Sequence, residues 1–251
     1  CDCPRFGDGA LKHLRYLPAL RELQLERSRA SSEGLGALAK SEALERAVLG
    51  DLELDDQAFV GLAKLDHLRE LDLAGGVLLD PEIPTLAELR GLRRLNLRVD
   101  GLTAQSTEAL AQLSELRELS LADTAIADDS LPHLAQLTKL ESLELRGTRV
   151  TNEGLEHVAK LSSLRRLTLD HTDVVDGGVA RLAPLTQLEE LRLDHTLVTD
   201  ACIDTLMSLP KLRHLNLEHT VISREGAQRL REWGQLERLG LAGSRAADSE
   251  R

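Results

Sequence analysis

Apolar residues along this chain fall into a pattern that restarts every 24 residues. Stepping by that interval from Leu20 yields LRELQL, LERAVL, LRELDL, LRRLNL, LRELSL, LESLEL, LRRLTL, LEELRL, LRHLNL and, from Leu236, LERLGL. These are ten copies of LxxLxL without insertion or deletion, and only Ala47 interrupts the apolar positions. A fixed period of this size marks a repeat architecture and has to be read before any local motif. Within a copy the last two leucines stand two apart, as Leu143 and Leu145 do. They therefore share one face of an extended strand, while Ser142, Glu144 and Arg146 take the other. The stretch after each strand changes period: in TNEGLEHVAKL, from Thr151, the residues Leu155, Val158, Ala159 and Leu161 lie at helical offsets behind an N-capping Thr. Each repeat is predicted to be one strand and one short helix. Neither can bury its apolar side alone, so successive coils must stack.

Other columns keep the same register. Val150, Val174, Val198 and Ile222 form one, and Leu134, Val158, Leu182 and Leu206 another. Alanines at 39, 63, 87, 111, 135, 159 and 183 are expected to let the helix layer approach the strand layer. Thr124, Thr148, Thr172, Thr196 and Thr220 stand where the chain leaves the strand, and a hydroxyl there can satisfy backbone groups of the turn.

With LxxLxL, the Thr column and the match LESLELRGTRVTNEGLEHVAKL in view, the chain resembles the leucine-rich-repeat family. The variety is the 24-residue bacterial type reading LxxLxLxxTxVTDxGLxxLAxL, and the resemblance covers residues 6 to 241. It implies an α/β solenoid: a curved right-handed βα coil with a parallel sheet on the concave face and short helices on the convex face. It also implies a surface for binding other proteins, although one fold hosts many tasks. Residues 1–19 read as an N-terminal partial repeat or cap, 20–241 as the array of ten strands, and 242–251 as a small, polar tail expected to fray.

Composition narrows the partners. A formal charge of −11 and a pI near 5.3 argue against nucleic acid and anionic membranes, which need basic patches, and favour a protein partner, basic or neutral. No apolar run approaches transmembrane length. Three cysteines make no disulfide framework, so reduced thiols in the cytoplasm are the plain expectation. The first residue, Cys1, admits a bacterial lipoprotein acylated there as an alternative to a fragment of a longer array. No cofactor is expected.

Function in such an array is expected on the outward strand residues. Their first column, Glu22, Arg46, Glu70, Arg94, Glu118, Ser142, Arg166, Glu190, His214 and Arg238, nearly alternates in sign and reads as a self-neutralising ladder. The third column stacks three acids, Asp170, Asp194 and Glu218, each followed directly by a histidine: His171, His195 and His219. With Arg192 on the same face these form the first candidate partner site. A second candidate lies where the Thr column breaks toward the N-terminus, with Val48, Val77 and Val99 as exposed apolar residues unless the irregular turns draw them inward.

The leading expectation is a non-enzymatic protein-interaction module, a recognition or adaptor part of a larger protein. A metal-dependent hydrolase using the acid and histidine pairs at 170–171, 194–195 and 218–219 is the enzymatic alternative, and a structural spacer the third. No metal site is assigned, since adjacent residues on a strand point to opposite sides and do not converge on one ion.

Overall fold

The computed structural model describes residues 7–25, 28, 30–52, 56–76 and 83–248. The chain divides into two compact units, residues 1–120 and 121–251. In the first, strands β1 (Glu22–Gln24), β2 (Arg46–Val48), β3 (Glu70–Asp72), β4 (Arg94–Asn96) and β5 (Glu118–Ser120) pair in parallel in chain order. Helix α1 (Asp8–Leu11) precedes β1, and α2 (Ser32–Gly36), α3 (Asp56–Leu62), α4 (Ile83–Leu86) and α5 (Ala104–Leu110) run between the strands. The second unit repeats the plan with β6 (Ser142–Glu144), β7 (Arg166–Thr168), β8 (Glu190–Arg192), β9 (His214–Asn216) and β10 (Arg238–Gly240). Its helices are α6 (Leu131–Leu134), α7 (Leu155–Val158), α8 (Asp176–Arg181), α9 (Ile203–Ser208), α10 (Arg224–Glu232) and α11 (Arg245–Asp248). Each unit is an α/β solenoid segment.

Register follows the sequence period. Leu143 pairs with Leu167, Leu167 with Leu191 and Leu191 with Leu215, each with the residue 24 positions on. Parallel neighbours cannot be joined by a hairpin, and the stretch between strands is long enough to cross over through a helix. All three leucines of the repeat point inward: Leu140, Leu143 and Leu145 are fully buried, and Ala47 occupies the same inward slot. The aliphatic columns of the helical stretch, Val150 to Ile222 and Leu134 to Leu206, close the core from the other side.

The turn column behaves as its chemistry requires. Each of Thr124, Thr148, Thr172, Thr196 and Thr220 is buried and donates its hydroxyl to the carbonyl three residues earlier, at 2.6–2.7 Å. The hydroxyl gives the turn's carbonyl a short side-chain partner, at Leu145 in addition to the longer bond from the Thr148 N–H.

Three features differ from the sequence expectation. The helices shrink to four residues in some coils: α7 holds only Leu155–Val158, and Thr151 N-caps the turn ahead of it by accepting from the Glu153 N–H at 3.3 Å. The alanine column lies mostly at the rim, because Ala111, Ala135 and Ala159 are the C-caps of α5, α6 and α7. Close approach between coils occurs instead at glycines, where a Cβ on Gly226 would come within 2.2 Å of Asp200 Oδ1. Lastly, residues 242–248 take up the start of another coil. Gly243 takes the left-handed turn, buried Ser244 donates to the Leu241 carbonyl in the manner of the Thr column, and the Ala246 N–H reaches the Ile222 carbonyl.

A side-chain clamp that the column reading overlooked joins successive coils. Asp128 accepts from both the N–H and the hydroxyl of Thr151, Asp176 does the same for Thr199, and Asp200 for Ser223. At Thr199-Asp200 the two neighbours divide the labour: Thr199 caps its own helical turn at the Ala201 N–H while Asp200 grips the following coil.

Candidate functional site

The acid and histidine rows of unit 2 sit where the chain leaves the sheet. The backbone explains why histidine is tolerated three times. His171, His195 and His219 all adopt left-handed conformations, with φ of 55°, 54° and 53°, and the same column holds Gly147 before them and Gly243 after. Histidine, with Asn and Asp, is among the non-glycine residues that enter this region most readily. The left-handed kink extends the ladder by one bond, because the N–H of His171 reaches the Asp194 carbonyl at 2.9 Å and that of His195 the Glu218 carbonyl at 3.0 Å. Identical kinks on adjacent strands carry the rings out in parallel. His171 stacks on His195 with centroids 4.2 Å apart and planes 16° apart, and His195 on His219 at 4.2 Å and 28°.

The three acids do not form one row. Asp170 is buried, only 2% exposed. Its Oδ2 accepts from Arg192 Nε at 2.9 Å and its Oδ1 from the Asp194 N–H at 2.9 Å. That hydrogen bond holds the Arg192 guanidinium above its already high ordinary pKa. Asp170 is thus a buttress beneath the edge and not the exposed partner-binding acid expected from its column. Asp194 is half-buried and lies 2.9 Å from His195, Oδ1 to Nδ1. Glu218 is half-buried, and His171, His195 and His219 are exposed.

The expectation that neighbouring residues point apart fails for Asp194 and His195. The left-handed turn at His195 swings its ring back toward the carboxylate, and ligand atoms of His171, Asp194 and His195 all lie within 4.8 Å of one another. The hydrolase alternative loses a part here, since Asp170 is sequestered under Arg192 and cannot join the other pairs in a common pocket. Beside the histidines the column reading missed Leu197, which stands 66% exposed in the same turn. Its signal was available, because the corresponding residue one coil earlier is the polar Asp173.

The second candidate resolves differently. Val48 is 9% exposed, set on the sheet between Gln24 and Asp72 of the neighbouring strands, and Val99 is 4% exposed. Neither is the exposed apolar residue expected, and Val77 lies outside the described residues. Val99 falls in the left-handed column, but a β-branched side chain resists that conformation. The coil turns another way: the Val99 N–H bonds the Leu97 carbonyl, Gly101 takes the positive φ of 97°, and the valine goes inside. What remains on this face is an open depression of about 380 Å³ lined by Val48, Gly50, Asp51, Asp72, Ala74, Gly75 and Arg98, roomy because three of those residues are small. Alongside it the charge ladder is formed, with Glu70 between Arg46 at 3.4 Å and Arg94 at 2.5 Å, and Arg94 reaching Glu118 at 3.4 Å. At these exposures each pair contributes little stability.

Comparisons with known proteins agree with the architecture. A family model described as a leucine-rich repeat region matches residues 67–239. Among solved structures, internalin C2 of Listeria monocytogenes superimposes with a TM-score of 0.57 at 24% identity, covering 94% of this chain and 84% of that one. An internalin F of the same organism gives a TM-score of 0.49 at 19% identity, covering 91% and 82%. A search of curated proteins found no match. Among the described residues, no helix is long and apolar enough to cross a membrane.

Proposed function

This chain belongs to the leucine-rich-repeat family, and on that premise we propose that it is a non-enzymatic recognition module whose contact surface is the turn edge and outward strand face of unit 2. The observation that carries the reading is the exposed edge itself. His171, His195 and His219 are held in register by one backbone conformation, with exposed Leu197 two residues after His195 and Arg192, Asp194 and Glu218 on the adjoining strands and turns. Side chains of mixed charge around an exposed aliphatic residue, on a scaffold whose interior is close-packed, suit the apolar anchor and polar rim of a protein interface. The adjoining acids favour a basic segment on the partner. Such a module serves as the adaptor or recognition part of a larger assembly.

The test is site-specific photocrosslinking in extract of the source organism. A p-benzoylphenylalanine placed at Leu197 is expected to trap a discrete protein that the same group placed at Gln228, on α10, does not. Equal labelling from both positions, or none from either, would sink the assignment of this edge.

A further inference from the structure

We propose that the same edge binds a zinc-class divalent transition-metal ion through His171, His195 and Asp194. The argument starts from donor chemistry. Two imidazoles and one carboxylate suit zinc and its neighbours nickel and copper, whereas calcium and magnesium prefer oxygen donors alone. These are also the three groups whose ligand atoms lie within 4.8 Å of one another.

The backbone presents them without a pocket. Left-handed turns at His171 and His195 bring two rings from adjacent coils to the same side, and both rings are exposed. Asp194, one residue before His195, is positioned by its own N–H bond to buried Asp170. Arg192 would oppose a cation at this edge, but its guanidinium is engaged by Asp170, so the charge nearest the donors is already compensated.

Binding requires a modest closure. Metal–nitrogen and metal–oxygen bonds of about 2.0–2.2 Å place tetrahedral donors about 3.3 Å apart, so the three groups must draw together by about 1.5 Å at most. Exposed rings can do this by side-chain rotation, opening the His171–His195 stack. Asp194 Oδ1 and His195 Nδ1 already lie 2.9 Å apart, so the ion replaces the hydrogen bond between them, separating the two atoms slightly while a ring nitrogen of His171 closes in as the third donor. His219 stacks on the far side of His195 and lies outside the donor set.

Zinc titration by calorimetry on the full chain tests the proposal, in a background where Cys1→Ser and Cys3→Ser remove competing thiols. Asparagine tolerates positive φ and is a poor zinc ligand, so His171→Asn and His195→Asn remove a donor while keeping the turn. The expected result is saturable uptake near one ion per chain, weakened at least about tenfold by either variant. His219→Asn should stay within about twofold, and zinc should raise the melting temperature of the parent but not of the doubly substituted chain. No saturable uptake, or affinity unchanged in the double variant, overturns the site; an equal loss from His219→Asn overturns this donor set.

Discussion

Arg192 Nε donates to Oδ2 of the buried Asp170 at 2.9 Å, while the other oxygen of that carboxylate accepts the Asp194 N–H at the same distance. The two partners differ in access to water: the Asp170 side chain is 3% exposed and that of Arg192 is 43%. Losing one is not equivalent to losing the other. Asp170→Asn leaves an arginine that can turn to solvent and an amide oxygen that still accepts the backbone bond, at a cost of about 1 kcal/mol. Arg192→Met leaves a buried carboxylate without its counter-ion, which should cost about 3 kcal/mol. Urea unfolding of both variants gives the order, and a larger loss for Asp170→Asn would contradict this account of the edge.

The left-handed column makes a second prediction. His195→Gly should be close to neutral, since glycine enters that region freely. His195→Val should lose about 1–2 kcal/mol or more, because a β-branched side chain there must strain or rebuild the turn, as the native coil does at Val99. Midpoints of thermal unfolding separate the two. Equal effects would mean that the turn geometry is not what selects histidine.

The inter-coil clamp is tested at Asp200. Replacing it with Ala removes the acceptor of both the Ser223 N–H and hydroxyl, and should cost about 1–3 kcal/mol. Ser223→Ala, which removes the cap of α10 at the Gly226 N–H but spares the backbone bond to Asp200, should cost about 1 kcal/mol. Amide hydrogen exchange is the informative readout. Protection should fall in α10 and the turn before it in both variants, while β6 keeps its own.

Cys202 gives a pH prediction. Burial, with Asp176 and Asp200 nearby, pushes its thiol up from 9.0 to about 12. The folded chain thus holds this proton more tightly than the unfolded one, and stability contributed by the site is present below about pH 9 and lost as pH rises toward 12. Cys202→Ala should flatten that part of the stability profile. A thiol reagent at pH 8 should leave Cys202 unmodified in the folded chain and label it once urea unfolds the protein; rapid labelling under native conditions would show that this coil opens readily.

Much of the architecture was legible because it rests on local rules repeated at a constant interval. Leu143 and Leu145 point inward since a strand alternates, and Thr148 turns inward since a hydroxyl is the side chain that can answer a carbonyl three residues back. The Thr-Asp step was visible as part of the repeat, yet its inter-coil role was not. Whether Asp200 reaches Ser223 depends on the offset between coils, which no single coil encodes. The histidine column was legible as a row, but its left-handed conformation was not read, because the clue, Gly147 and Gly243 in the same column, lies outside the motif itself.

The sequence by itself determined the repeat, the parallel register, the aliphatic core and the family, because each follows from periodicity and from side-chain preferences that act within a few residues. Only the tertiary structure decided that Asp170 lies beneath Arg192 while Asp194 meets His195, and that Val48 and Val99 are covered. Residues of one column share a backbone position but not neighbours. What covers or pairs with each is set by side chains arriving from the coils on either side, about 24 residues away in the chain and one strand spacing, roughly 5 Å, away in space.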